Sequence, residues 1–271
     1  MNTPPGGFAQ RMVLGRLERL ARRLNQTTDH QLLELRSEID RLHTEIASQT
    51  DRLLDRVAAF ETRSHRDIVY AGDQLAARES NEFARQHLLE AKQCIGANAT
   101  LRYALTQAPD GGMALEFGVA TGATLRVIVA ERGGEIYGFD SFAGLPESWI
   151  NGLAAGSFTQ VQLPDVRGAE LVVGLFDDTI GTFLDQHPGP VDFVHIDSDL
   201  YTSAKTVLRL VGPRLRVGSI VHFDEFYNYP GWQQHEVRAW DEYAKETETA
   251  FSYIAHAVND CQVTIRIDSA P

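Results

Sequence analysis

Four acidic side chains fall in two short stretches, His195-Ile196-Asp197-Ser198-Asp199 and His222-Phe223-Asp224-Glu225. Each stretch completes an apolar, β-branched or aromatic run, VDFVHI (191–196) and GSIVHF (218–223), so the carboxylates are expected at the ends of two strands. Like charges gathered that closely repel and raise one another's pKa. A hard divalent cation with oxygen ligands removes the repulsion, Mg²⁺ being the commonest choice. Solvated loop carboxylates are the competing reading. Further upstream, MALEF (113–117) runs into Gly118-Val119-Ala120-Thr121-Gly122-Ala123-Thr124. Glycines there let the backbone turn sharply and approach a ligand at a helix N-terminus. The spacing is not the G-x-G-x-x-G of dinucleotide binding, and a tight turn without a ligand reads the same way. Asp140, 24 residues after Glu116, ends the run EIYGF (135–139). A carboxylate at that place either accepts two ribose hydroxyls or caps the following helix. Taken together, Glu116 and Asp140 around the glycine turn point to a nucleoside site.

The histidines carry less. His195 and His222 lie inside strand patterns and read as core or supporting residues. His235 follows the aromatic loop Tyr227-Asn228-Tyr229-Pro230-Gly231-Trp232 and is placed to reach a substrate. His235-Glu236 lacks the second histidine of a zinc helix, and there is no G-x-S-x-G elbow or Walker A loop. Tyr201, Tyr227, Tyr229, Trp149 and Trp232 offer flat surfaces for a ring, although half of them are as readily core.

These residues need a scaffold, and the pattern between them supplies one. Short runs at 113–117, 135–139, 170–174, 191–196 and 218–223 alternate with helical segments, as in a parallel sheet covered on both faces. Two more, SYIAHAV (252–258) and QVTIRI (262–267), are joined through Asn259-Asp260 as a hairpin. The expected fold is α/β, a doubly wound, mostly parallel seven-stranded sheet with a carboxyl-terminal antiparallel hairpin, spanning 101–271. Ligands of such sheets sit beyond the carboxyl ends of the strands, where the acidic residues fall. Ahead of it, residues 66–100 read as connecting helices and 1–65 as a coiled-coil-like oligomerisation segment. Leu14, Leu17, Leu20 and Leu24 form one apolar run; Leu32, Leu35, Ile39, Leu42, Ile46 and Leu53 form a second, interrupted at Gln49. Asn25–Thr28 with Asp29 is expected to break the helix and cap a new one. A narrow apolar stripe must be buried, by self-association into a homo-oligomer or by packing on the main domain.

Of 271 residues, 43% are hydrophobic and 23% charged, ordinary for a chain with a sizeable core. The formal net charge of −12 is uneven: residues 1–100 balance 14 basic against 14 acidic side chains, and 101–271 hold 11 against 23. That surface repels phosphate backbones, which argues against nucleic acid, and it tolerates cations. No apolar run is long enough for an integral membrane segment, no apolar signal core follows the start, and two distant cysteines, Cys94 and Cys261, fit a reducing cytoplasm.

The stretches ALEFGVATGAT (114–124), YGFDSFAGLPESW (137–149), GLFDDTI (174–180), HIDSDLYTSAKTVL (195–208) and SIVHFDEF (219–226) resemble the class I S-adenosylmethionine-dependent methyltransferases, and within them the macrocin O-methyltransferase family. The resemblance covers roughly residues 85–268. It implies S-adenosylmethionine and Mg²⁺ as cofactors and a small-molecule hydroxyl, on a sugar or vicinal diol, as acceptor. It places Glu116, Gly118 and Gly122 at the methionine end of the cofactor and Asp140, with Ser141, at its ribose. Asp197, Asp224 and Glu225 would hold the metal, and Asp199 would be the general base. Glu225 departs from the aspartate common in the family, and the lid region, about 150–168, diverges enough that the family's substrates do not transfer. Two rival readings are an NAD-dependent oxidoreductase, which Asp140 suits but the glycine spacing does not, and a coiled-coil assembly protein with a silent α/β domain.

Overall fold

The computed structural model describes residues 6–150 and 152–269, with side chains from residue 12 onward. Residues 1–5 of the predicted oligomerisation segment, the side chain of Arg11 and Asn151 of the lid region lie outside the described residues. The chain divides into two units, Met1–Asp67 and Ile68–Pro271.

The first unit is one helix, α1 (Gly6–Arg66), of 61 residues, about 90 Å long at 1.5 Å per residue. The expected break at Asn25–Thr28 is absent. Thr27 and Thr28 direct their hydroxyls back to the carbonyls of Arg23 and Leu24, both at 2.9 Å. Their side chains therefore find partners inside the helix instead of capping a new one. The apolar residues of both runs are exposed along it.

The second unit begins with α2 (Ile68–His87), then β1 (Lys92–Cys94) and α3 (Ala97–Gln107). Residues 66–100 are thus not all helix. The chain turns after Leu88, and Lys92–Cys94 becomes a strand by pairing in parallel with a segment over 160 residues away, Lys92 opposite Ala255. No local period announces a strand of three residues. The alternating units follow: β2 (Met113–Phe117), α4 (Ala123–Glu131), β3 (Ile136–Asp140), β4 (Glu170–Val173), α5 (Phe176–Gln186), β5 (Val191–Ile196), α6 (Tyr201–Val211), β6 (Leu215–Phe223) and α7 (Glu236–Glu246). The hairpin β7 (Ala250–Ala257) and β8 (Val263–Ser269) completes the chain.

The fold is the mixed, mostly parallel α/β sheet expected, with eight strands rather than seven, in the order β1-β7-β8-β6-β5-β2-β3-β4. The antiparallel hairpin is not the edge, because β1 lies outside β7. Strand alternation builds two apolar layers. Leu115, Phe117, Val194, Ile196, Val221 and Phe223 pack on one face with α5, α6 and α7; Ala114, Phe193 and Ile220 pack on the other with α3 and α4. Asp192, wholly buried, fastens the amino ends of these strands by a bidentate pair with Arg216, at 2.7 and 2.8 Å, and by accepting from Gly112 N–H. The chain runs from β2 outward to β3 on one side and to β5 on the other. The switch point, where such sheets bind ligands, therefore falls at the carboxyl ends of β2 and β5.

Among the described residues no helix is long and apolar enough to cross a membrane.

Candidate active site

A cavity of about 470 Å³ opens at that switch point. Gly118, Asp140, Ser141, Asp197, Asp199 and Glu225 line it; Glu116 and Gly122 do not. Gly118 has φ +96°, and a β-carbon there would run into the carbonyl oxygen of Asp197. The turn after β2 and the carboxylate loop after β5 are therefore packed backbone to backbone, which only glycine permits. We expect Gly118→Ala to cost about 3 kcal/mol or more, lowering the melting temperature by roughly 6–12 °C, as a thermal denaturation curve measures.

Asp140 organises this turn. Its Oδ2 accepts from Val119 N–H at 2.9 Å and Ala120 N–H at 2.7 Å, and its Oδ1 accepts from Phe142 N–H at 2.7 Å. It is not a helix cap. Oδ1 carries one donor and keeps acceptor capacity at the cavity wall. Ser141 Oγ accepts from Ala143 N–H at 3.2 Å. Gly122, at φ +74°, begins α4 with its α-carbon against Val166.

The acidic residues of the two loops gather at one place. Asp197, Asp224 and Glu225 each offer an oxygen within 4.8 Å of the others. They are half-buried rather than solvated. Burial, then the Asp224 charge, pushes Asp197 well above the usual carboxylate range. Burial, then the charges of Asp197 and Asp224, does the same to Glu225, whose Oε2 is buried without a hydrogen-bond partner. Asp199 faces the same cavity at 8% exposure. Burial and the Asp224 charge raise its carboxyl to about 6. Its φ of +62° is left-handed, a conformation that costs a non-glycine residue about 1 kcal/mol or more and tends to persist at functional sites. An all-oxygen set of three carboxylates with an unpartnered buried oxygen fits a hard divalent cation.

His195 joins the two halves of the site. Its Nδ1 is 2.9 Å from Glu116 Oε1, and its Nε2 is 3.7 Å from Asp224 Oδ1. Burial opposes protonation of this ring, but the carboxylates on either side outweigh it and hold its pKa well above the ordinary value. The same charge outweighs burial at Asp224 and draws its carboxyl down to about 2. Glu116, wholly buried on β2, is thus a brace beneath the cavity. His222 is a core residue: its Nδ1 meets Thr264 Oγ1 at 2.9 Å, and burial beside His195 lowers it to about 3. Glu236 carries no signal in the sequence beyond its neighbour His235. It is wholly buried, and its Oε2 accepts from Glu225 N–H at 2.9 Å, fixing the backbone that presents Glu225.

The aromatic residues divide. Tyr227 is structural, its hydroxyl bound to His256 and to the Ala257 carbonyl. Trp232 is buried against Phe83 of α2, with ring centroids 5.5 Å apart. Tyr201 is tied up with Glu242 and Lys205. Trp149, Tyr229 and His235 form a group beside the carboxylates, with Tyr229 5.5 Å from Trp149 and donating to the Glu225 carbonyl at 3.1 Å.

A mostly parallel sheet with an acidic cleft at its switch point is the arrangement that the sequence resemblance to class I methyltransferases leads us to expect. Residues 115–226 match the family model described as a methyltransferase domain, and Glu116 through Glu225 all lie within that match. No curated protein matches the sequence. Among solved structures the chain is similar to the calicheamicin methyltransferase CalS11, at 24% identity, covering 62% of this chain and 76% of that one, with a TM-score of 0.49. It is also similar to the O-methyltransferase NovP, at 22% identity, covering 64% and 79%, with a TM-score of 0.45. A third is the O-methyltransferase from Bacillus cereus in complex with SAH, at 12% identity, covering 79% and 97%, with a TM-score of 0.44.

Proposed function

We propose that the chain transfers a methyl group from S-adenosylmethionine to a hydroxyl of a small molecule, a sugar or another vicinal diol. Asp199 acts as general base, and Asp197, Asp224 and Glu225 hold Mg²⁺. The observation that supports this reading most is the continuity of one cavity from Asp140 and Ser141 to Asp199 and Glu225. A nucleoside-bearing donor and a hydroxyl acceptor can lie side by side in it, and its volume is within the usual range of about 300–1,000 Å³ for ligand sites.

Asp140 Oδ1 is free to accept a ribose hydroxyl, while Gly118 lets the donor lie against bare backbone. The acidic wall attracts a cationic donor electrostatically. The donor supplies a methyl group already activated on a sulfonium, and a cation at the three carboxylates supplies acidity to a hydroxyl beside it. The chain's own work is then to align oxygen and methyl, to exclude water, and to receive the hydroxyl proton on Asp199.

A comparison of thermal shifts tests the cofactor. S-adenosylhomocysteine at about a hundred times its dissociation constant adds about 2.7 kcal/mol to folding stability, and we expect NADH to leave the melting temperature unchanged. The reverse ranking would select the oxidoreductase reading. No shift with either would favour a silent α/β domain.

A further inference from the structure

We infer that His195, His222 and Asp224 form a second metal site, of two imidazole nitrogens and one carboxylate, suited to Zn²⁺ or a similar transition-metal ion and not to Mg²⁺. Each of the three offers a ligand atom within 4.8 Å of the other two. The site goes beyond the proposed methyl transfer and shares only Asp224 with the three carboxylates.

The sheet itself builds it. Its registers set Glu116 opposite His195, His195 opposite His222 and His222 opposite Thr264, so four polar residues lie in one row across β2, β5, β6 and β8. All four are wholly buried. The outer members of the row hold the inner ones: His195 Nδ1 meets Glu116 Oε1 and His222 Nδ1 meets Thr264 Oγ1, both at 2.9 Å. That leaves Nε2 of each ring, and both are buried without a hydrogen-bond partner. Buried polar atoms of a folded chain are rarely left so, and each calls for a water or an ion.

The surroundings select an ion. A histidine that binds a metal through one nitrogen almost always has the other held by an outer partner, which fixes the ring and its tautomer. Glu116 and Thr264 are placed to do this for the two rings. The spacing agrees. Bonds of about 2.0–2.1 Å in a tetrahedral arrangement put ligand atoms about 3.4 Å apart and the centres of two bound rings about 5 Å apart. His195 Nε2 lies 3.7 Å from Asp224 Oδ1, too far for a hydrogen bond, and the two ring centroids are 5.1 Å apart. The donor atoms decide which ion: imidazole suits Zn²⁺ and its transition-metal neighbours, whereas Mg²⁺ prefers oxygen alone. Asp224 can serve both sets, having two oxygens, and with 22% of its side chain exposed it gives the buried histidines their access to solvent. Without an ion, a proton on His195 faces Asp224 in its place, and binding releases that proton.

Calorimetric titration with Zn²⁺ tests this on the full chain, stripped by chelator and then held in saturating Mg²⁺ so that the three carboxylates are occupied. The native chain should bind one equivalent of Zn²⁺. His222→Gln, whose amide can still meet Thr264, should raise the dissociation constant about 10²-fold or more, and Thr264→Val, which keeps every ligand but frees the ring, about tenfold. Thr264→Val keeps the test open if His222→Gln does not fold. Glu225→Gln, altered in the oxygen set alone, should bind Zn²⁺ as tightly as the native chain. A native chain that takes up no Zn²⁺ would overturn the inference, and the two nitrogens would then hold only water or protons. So would variants at His222 and Thr264 that bind at native strength, or a loss confined to Glu225→Gln, which would move Zn²⁺ to the carboxylates. Every readout is binding of the ion, so the outcome is independent of whether the chain transfers methyl groups.

Discussion

Replacing Asp199 by Asn is expected to lower turnover about 10²-fold or more, the usual scale for a positioned proton acceptor, while S-adenosylhomocysteine binds as tightly as before. The substitution isolates the proton transfer. Asp199 sits at φ +62°, and Asn adopts that left-handed conformation about as readily as Asp, so the loop after β5 keeps its course. An amide of nearly the same shape fills the same place at the cavity wall and loses the ability to hold the proton. Burial and the Asp224 charge already disfavour the ionised form of this carboxyl, so its removal should leave the protein as stable or slightly more so. Three measurements therefore have to agree: kcat falls, the ligand dissociation constant stays, and the melting temperature does not drop. Unimpaired turnover would remove Asp199 from the mechanism. A fall in turnover accompanied by loss of ligand binding would make it a structural residue of the pocket.

The acidic site was legible in the sequence because strand ends are. Once VDFVHI and GSIVHF are read as buried parallel strands, the next residues must emerge on one rim, and Asp197, Asp199, Asp224 and Glu225 do. Chain order did not tell Gly118 from Gly122, of which only Gly118 lines the cavity. What the sequence could not carry was the pairing of groups on different strands. That His195 bridges Glu116 and Asp224 depends on the registers Glu116 opposite His195 and His195 opposite His222, which no local pattern encodes. Asp140 was read through a ligand, whereas its carboxylate is largely used by the amides of the turn itself. Glu236 was hidden for a similar reason: its carboxylate acts on the backbone of Glu225, eleven residues earlier. The strand at Lys92–Cys94 and the continuity of α1 are opposite failures of local reading. One element exists only because a distant strand pairs with it, and the other persists because Thr27 and Thr28 satisfy their own hydroxyls.

The carboxylate triad makes a prediction in which stability and function move in opposite directions. Asp197, Asp224 and Glu225 repel one another, and burial compounds the cost, so the protein stripped of divalent cations carries electrostatic strain that the His195 ring relieves only in part, at Asp224. Saturating Mg²⁺, at about a hundred times its dissociation constant, should add about 2.7 kcal/mol and raise the melting temperature by roughly 5–10 °C for a unit of this size. The monovalent salt of equal ionic strength should not, because screening acts weakly on buried pairs. Asp197→Asn removes one of the repelling charges without leaving a gap. In chelator, this variant should melt as high as the native chain or higher; in Mg²⁺, it should fail to gain the shift, and its methyl transfer should fall with it. Asp224 is the wrong member to choose for this experiment, since it also faces the His195 ring at 3.7 Å and its loss would leave a buried cation short of a partner. A melting temperature indifferent to divalent cations, with methyl transfer that survives thorough chelation, would show that the three carboxylates hold no metal. Their repulsion would then be relieved by the His195 ring beside Asp224 and by protonation of Asp197 and Glu225, whose carboxyls burial already raises.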